Sequence, residues 1–377
     1  VNEIEYLKEI IDKHERKILG MMSGTSADGV DLVLVSVSGC SKSTRCTIKN
    51  ALHVDYPDEL KKKILKAMED NALMRDVCSL DFELGEFFGD CAKSFKYEKV
   101  DLIASHGQTV YHNPPGHNSH PCTLQIGDGD IIAMKSGVIT ISDFRIKDMA
   151  SGGEGAPLVP HADYLLYSSD KESIAINNLG GISNVTYIPI NANEDEIIAF
   201  DTGPANALMD LITRKYFNLP YDKDGAISAN GKIDDELFEA LKSKEMSYIL
   251  RTPPKSTGKE VYNEGYIPEN SLDPHDLLRT TVKFTAWNIY ESYKLHVIPK
   301  GLDRVVLTGG GAMNKILVDD IRKYFGKIQV EISENWQWRE AEAFAILANE
   351  LLCGNHSNNP KVTGAKRSVL LGKISLP

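Results

Sequence analysis

The 377-residue chain has no apolar run approaching the ~20 residues of a membrane-spanning helix, which excludes a span as its organising element. It has no GxxxxGK[ST] sequence, so a P-loop is excluded, and no HRD or DFG set of the protein-kinase kind. Six cysteines (Cys40, Cys46, Cys78, Cys91, Cys122 and Cys353) form no CxxC pair; they read as reduced thiols of a cytoplasmic protein rather than as a disulfide framework. Basic residues are outnumbered, 42 against 53 acidic, and the net charge of −11 argues against nucleic acid or an anionic membrane as partner. Small anionic ligands need only a local site and stay open. Residues 1–16 are charged, with Ile4, Leu7 and Ile11 at helical spacing and no apolar core of a signal peptide, and read as a short surface helix.

What is present is the composition of a globular protein, 42% hydrophobic and 25% charged, in a chain too long for one typical core. Two α/β domains are the expectation. The most informative stretch is residues 20–31, GMMSGTSADGVD, between an apolar run and the valine-rich residues 30–37. It reads as strand, tight turn, strand. Glycines let a backbone approach a ligand, and hydroxyls and N–H groups hold phosphate oxygens. Asp28 and Asp31 beside phosphate call for a bridging divalent cation; the plain alternative is an ordinary hairpin with Asp-Gly at its tip. A second strand, glycine turn and strand follows at residues 173–189, with Gly180 and Gly181 in the turn. Two such halves imply two related domains facing a cleft. The glycine- and proline-rich residues 150–160 read as the crossing between them.

Other strand ends carry candidate chemistry. Asp201 follows the strand 197–200 and precedes Gly203, Pro204 and a helix, a place for a general base or for a helix N-cap, with Thr202 as the alternative cap. Asp143 and Arg145 follow the strand 138–142; Arg145 can clamp a carboxylate or pair with a surface acid. His106 sits in a loop after the strand 99–105 as a substrate contact or a structural histidine. Gly309, Gly310 and Gly311, before the helix 314–325, suit a nucleotide or a tight turn. Glu340 and Glu342 open the helix 338–352, where only one of them readily faces a cleft. His112, His117 and His120 with Cys122 have poor spacing for zinc and read mainly as loop histidines.

In order, GMMSGTSADGVD, SHGQTVYH, TLQIGDGDIIA, DFRIKDMASGGEGAPLVP, NNLGGISN, FDTGPANALMD, YDKDGAISANG, PPKSTGKE and LTGGGAMN resemble the anhydro-N-acetylmuramic acid kinase family from about residue 18 to the C-terminus. The resemblance implies an actin/sugar kinase/Hsp70-type α/β fold: two RNase-H-like domains around an ATP cleft. It divides the chain into residues 1–147, completed by 362–377, and residues 148–361. It implies that ATP, water and 1,6-anhydro-N-acetylmuramic acid give ADP and N-acetylmuramic acid 6-phosphate, in recycling of cell-wall peptidoglycan. Matched residue by residue, Asp201 resembles the base that activates water and Glu340 the second acid beside it. His106 and Arg145 match sugar contacts. Gly24, Thr25, Ser26, Ala27, Asp28, Gly29, Val30 and Asp31 match the phosphate hairpin, with Mg²⁺ at Asp28, directly or through water. Gly180, Gly181, Gly309, Gly310, Gly311 and Asn314 complete the ATP set. The implied partner is a small anhydro amino sugar, with no nucleic acid or membrane and with a homodimer left open. Ala27, Glu154 and Ala205 depart from the family's usual leucine, glutamine and glycine, and the first helix precedes the usual start. Two rivals remain: a kinase for another sugar, and an actin- or Hsp70-like ATP switch.

Overall fold

The computed structural model describes residues 2–24, 26–95, 99–116 and 119–377. Along the chain come α1 (Glu3–Ile11), β1 (Glu15–Ser23), β2 (Gly29–Ser38), β3 (Arg45–Asp55), α2 (Asp58–Ala67), α3 (Met74–Ser94), β4 (Leu102–Asn113), β5 (Cys122–Ile126), α4 (Gly129–Ser136), β6 (Thr140–Ser142), α5 (Phe144–Ala150) and α6 (Val159–Tyr167). Then follow β7 (Ile174–Leu179), β8 (Ile182–Ile188), β9 (Ile198–Pro204), α7 (Asn206–Phe217), α8 (Asp235–Ile249), α9 (Pro274–His296), β10 (Arg304–Thr308), α10 (Lys315–Phe325) and β11 (Gln329–Ile332). The chain closes with α11 (Arg339–Leu352), α12 (Pro360–Thr363) and β12 (Lys373–Ser375).

Two compact units result: Val1–Leu166 with Trp338–Pro377, and Tyr167–Gln337. The division expected from the sequence, at 147/148 and 361/362, differs from these bounds. The glycine-rich loop after α5 is no crossing, because buried Asp148 ties it into the first unit. Its Oδ2 accepts the Gly155 N–H at 2.8 Å, while Oδ1 accepts Asn358 Nδ2 at 2.6 Å and Thr363 Oγ1 at 2.7 Å. The chain passes between units at the end of α6 instead.

In the first unit the sheet order is β12-β6-β4-β1-β2-β3, with β5 on the far half of β4. β1, β2 and β3 form an antiparallel meander, and β1, β4 and β6 run parallel. In the second unit the order is β11-β10-β7-β8-β9, again an antiparallel meander with β7, β10 and β11 parallel. Numbered within each unit, the second reads 3-2-1-4-5 and the first 3-2-1-4-6-7, its fifth strand standing off the path on the fourth; both share the 3-2-1-4 start of the RNase-H-like fold. Valine-rich β2 is buried on both faces, with Leu32 and Leu34 in one core and Val33, Val35 and Val37 in another. That continuous apolar run is the pattern of a strand covered on both sides. A separate core in the second unit gathers β7, β8 and α7 to α10.

Element positions differ from expectation in three places that matter for the site. β4 runs through His106 to Asn113, because it exchanges its parallel partner β1 for antiparallel β5 around Gln108. β9 continues through Asp201 to Pro204, paired with β8. The first helix buries Ile10, while Ile4 and Ile11 of the expected face are exposed.

Candidate active site

The β1–β2 hairpin is pinned from below. Ser23 Oγ lies 2.9 Å from the Gly29 carbonyl and 2.5 Å from Gln108 Oε1, and Tyr56 donates to it at 2.7 Å. Gln108 Nε2 donates to the Gly24 carbonyl at 3.1 Å, and Ala27 N closes the turn on the same oxygen. Buried Ala27 holds a positive φ of 50°. Gly29 is required by packing, since a Cβ there would stand 2.3 Å from the Val54 carbonyl oxygen. Val30 points into the core. The two acids part company. Asp28 is exposed and accepts Ser26 Oγ at 2.7 Å, whereas Asp31 faces His53 across the ladder, Oδ1 to Nδ1 at 2.7 Å. The hairpin thus offers a ligand Gly24, Ser26 and Asp28. Thr25 lies outside the described residues.

A polar cluster of the same unit joins three of the expected residues. His106 is buried, its ring packed 4.6 Å from that of Phe344. With its Nδ1 against the Gly107 carbonyl at 2.9 Å, its Nε2 accepts Arg145 Nε at 3.0 Å. Burial, with Arg145 beside it, lowers the His106 pKa to about 3, so the ring is neutral. Arg145 also donates through Nη1 to the Gly155 carbonyl at 2.8 Å, and no hydrogen bond among the described residues occupies Nη2. The surface pair with Asp143 does not form; Asp143 binds Lys373 instead. Burial holds the Glu340 carboxyl above the ordinary glutamate range, against the opposing pull of Arg339 and Arg145 and with Asp31 adding to the rise. Arg339 itself grips Asp163 through two bonds. Glu342 is buried beside Cys46, so Glu340 is the half-buried member of the pair.

In the second unit the Gly180–Gly181 turn closes the start of α7. Gly181 O accepts the Ala205 and Ala207 N–H groups, and Gly180 O accepts that of Asn206. The cap position is Ala205, which makes no side-chain bond, so neither Asp201 nor Thr202 caps this helix. Thr202 is buried and bonds Ser183. Asp201 is held by the PPKSTGKE segment, to which the sequence reading gave no role. Its N–H donates to the Lys255 carbonyl at 3.0 Å, its carbonyl accepts Tyr248 Oη at 2.8 Å, and its Oδ2 accepts Thr257 N–H at 3.0 Å. Lys255 is 5% exposed, and burial, with Arg251 nearby, lowers its pKa to about 8. The signal available was the first of two lysines in the PPKSTGKE block.

A pocket of about 370 Å³ lies wholly within the second unit, lined by Gly310, Gly311, Asn314, Asp210, Lys223 and Trp336 among others. Gly309 needs its positive φ of 77° and its bare Cα, since a Cβ would meet Asn178 Oδ1 at 2.4 Å. Gly310 has open space at that position. The glycine turn does not lead straight into α10: residues 310–313 form a 3₁₀ turn, and Asn314 Oδ1 caps α10 by accepting Leu317 N–H at 3.1 Å. The helix thus starts one turn beyond the glycines, and Gly310 and Gly311 line the pocket instead. Burial raises the Asp210 pKa to about 6, with Arg214 and Lys259 opposing. Residues 221–224, which open the YDKDGAISANG block, also line this pocket, a role the sequence reading did not give them.

Among the described residues no group of three or more His, Cys, Asp or Glu is placed to hold a metal, and His117 lies outside them. His112 bonds Thr123, and Cys122 is a free, exposed thiol. The expectation of six reduced thiols is corrected for two of them: Cys40, just after β2, is bonded to Cys353 at the end of α11. The pairing was hidden by a separation of 313 residues. No helix among the described residues is long and apolar enough to cross a membrane.

Two RNase-H-like units in one chain define the actin/sugar kinase/Hsp70 class of fold. The family model described as anhydro-N-acetylmuramic acid kinase matches residues 16–377. A relative of that name from Caldanaerobacter subterraneus subsp. tengcongensis is 39% identical over 99% of this chain and 100% of its own. Another from Clostridioides difficile is 39% identical over 95% and 97%. Among solved structures, the activator of the 2-hydroxyisocaproyl-CoA dehydratase from Clostridium difficile is 13% identical, with a TM-score of 0.43, 90% of this chain and 96% of that chain being covered. The chain belongs to the anhydro-N-acetylmuramic acid kinase family.

Proposed function

We propose that this kinase converts 1,6-anhydro-N-acetylmuramic acid, water and ATP into N-acetylmuramic acid 6-phosphate and ADP, in the cytoplasmic recycling of peptidoglycan. Water oxygen bonds to C1 as the C1–O6 bond breaks. O6 leaves with the electron pair and bonds the γ-phosphorus, and the bond from that phosphorus to the β-phosphate oxygen breaks. Asp201 takes the proton from the attacking water. The observation that carries this reading is the way Asp201 is held. It has no capping duty, its backbone is fixed on both sides, and one carboxylate oxygen is oriented by the Thr257 N–H. A base fixed in this way loses little entropy on reaching its reactive geometry.

Glu340 is the second acid, and Arg145, through Nη2, with neutral His106 behind it, binds the sugar. The pocket floored by Gly310 and Gly311 receives the nucleoside of ATP. Phosphate oxygens meet Gly24 and Ser26. Mg²⁺ suits Asp28: one exposed carboxylate with a serine beside it fits an ion that keeps several waters and takes its other ligands from phosphates. When bound, that ion neutralises developing charge on the phosphoryl oxygens.

The testing experiment is a coupled assay of ADP formation with 1,6-anhydro-N-acetylmuramic acid, N-acetylmuramic acid and N-acetylglucosamine. Turnover is expected to be fastest with the anhydro sugar. Faster turnover with either sugar that lacks the anhydro bridge identifies a different kinase, and ADP release independent of any sugar identifies a switch.

A further inference from the structure

The segment between α8 and α9 holds Asp201 and is itself held by one buried cation. Residues 255–257 lie along β9, an edge strand of its sheet. Lys255 O takes the Asp201 N–H, and Thr257 N–H reaches the Asp201 carboxylate. From the same short stretch the Lys255 side chain turns back to the end of α8. Its Nζ donates to the Tyr248 carbonyl at 3.0 Å and the Ile249 carbonyl at 2.9 Å. The last carbonyls of a helix have no partner within it and carry the negative end of its dipole, so an ammonium is well matched there. The same Nζ lies 4.6 Å from the ring centre of Tyr248 and 5.5 Å from that of Phe200, the residue before Asp201. The Tyr248 hydroxyl in turn donates to the Asp201 carbonyl.

A buried lysine without a carboxylate bonded to it is costly, and two carbonyls and two ring faces offset that cost only while the segment lies where it does. The other end of the segment is fastened separately, where Tyr262 and Tyr266 both bond buried Glu245 of α8. Losing Lys255 would therefore free the middle of the segment without undoing its far end.

We propose that Lys255 is a positioning residue for Asp201: by riveting residues 255–257 to the end of α8, it fixes the Thr257 N–H that orients the Asp201 carboxylate. This rests on Asp201 being the base. Lys255→Met keeps the apolar stem and removes the ammonium; Lys255→Gln keeps one donor group and serves if the methionine variant does not fold. Either folded variant is expected to lose roughly 10–100-fold in kcat, the scale of a small misplacement of a catalytic group. KM for ATP and for the anhydro sugar should stay within a few-fold, and the far-UV circular dichroism should be unchanged. An unchanged kcat, or a loss carried by KM alone, overturns the positioning role. Asp201→Asn, assayed in parallel, separates the two claims. An inactive Asp201→Asn beside a fully active Lys255 variant removes the rivet and leaves the base. An active Asp201→Asn removes the base itself.

Discussion

At the scale of single residues, the proposed base Asp201 and the proposed second acid Glu340 call for different tests. Asparagine in place of Asp201 preserves shape and can still accept the Thr257 N–H, so Asp201→Asn should bind ATP and sugar and yet turn over about 10²–10⁴-fold more slowly. Steady-state kinetics with an independent binding measurement checks this; near-normal kcat in the folded variant removes Asp201 from the chemistry. Glu340 gives a prediction in pH. Its folded pKa lies above the ordinary glutamate value because of burial. The protonated form is thus favoured by folding, and this contribution is complete below the ordinary glutamate pKa and lost as pH rises through the raised value. Glu340→Gln, which cannot ionise, should melt at a higher temperature than the native protein at neutral pH, with the difference vanishing on acidification, while activity falls. A lower melting temperature at neutral pH would show that Arg339 and Arg145 outweigh burial there. Such a gain in stability with a loss of activity is expected where an active site stores cost.

At the scale of elements, the hairpin and the glycine turn can be probed without unfolding them. Asp28→Asn changes an exposed side chain at a turn tip, so melting should be unaffected. KM for Mg-ATP should rise, with sugar affinity intact; an unchanged KM returns the turn to an ordinary hairpin. Gly310→Ala adds a methyl into open space in the pocket, and KM for ATP should rise by roughly tenfold or more at unchanged stability. Gly309→Ala, at positive φ and against Asn178, should instead destabilise the fold. Equal effects of the two alanines would place the nucleotide elsewhere. These elements were legible because local chemistry specifies them: a valine-rich apolar run for β2, glycines for the turns, a strand for Asp201. What escaped was set by distant partners. His106 was read as a loop residue because only β5, beginning at Cys122, reveals that β4 continues. Asp201 was placed after its strand because the glycine and proline that follow look like a turn, yet β8 pairs through them. Lys255 was invisible because its partners are carbonyls at a helix end.

At the scale of the whole molecule, the repeat was legible as two halves, each with a glycine-turn hairpin, while the unit boundary was not. Asp148 ties residues 153–155 to residues 358–363, and no local pattern announces a contact across two hundred residues. The Cys40–Cys353 bond was missed for the same reason. Thiol titration of the denatured, unreduced protein should count the four free cysteines, Cys46, Cys78, Cys91 and Cys122; six titratable thiols would show the pair reduced. If one enzyme both opens the anhydro ring and phosphorylates the oxygen released, mass spectrometry of the product formed from 1,6-anhydro-N-acetylmuramic acid and ATP should show a gain of one water and one phosphoryl group, with one ADP formed per sugar consumed. A product that gains a phosphoryl group without water, or water without phosphate, rules this coupled reaction out.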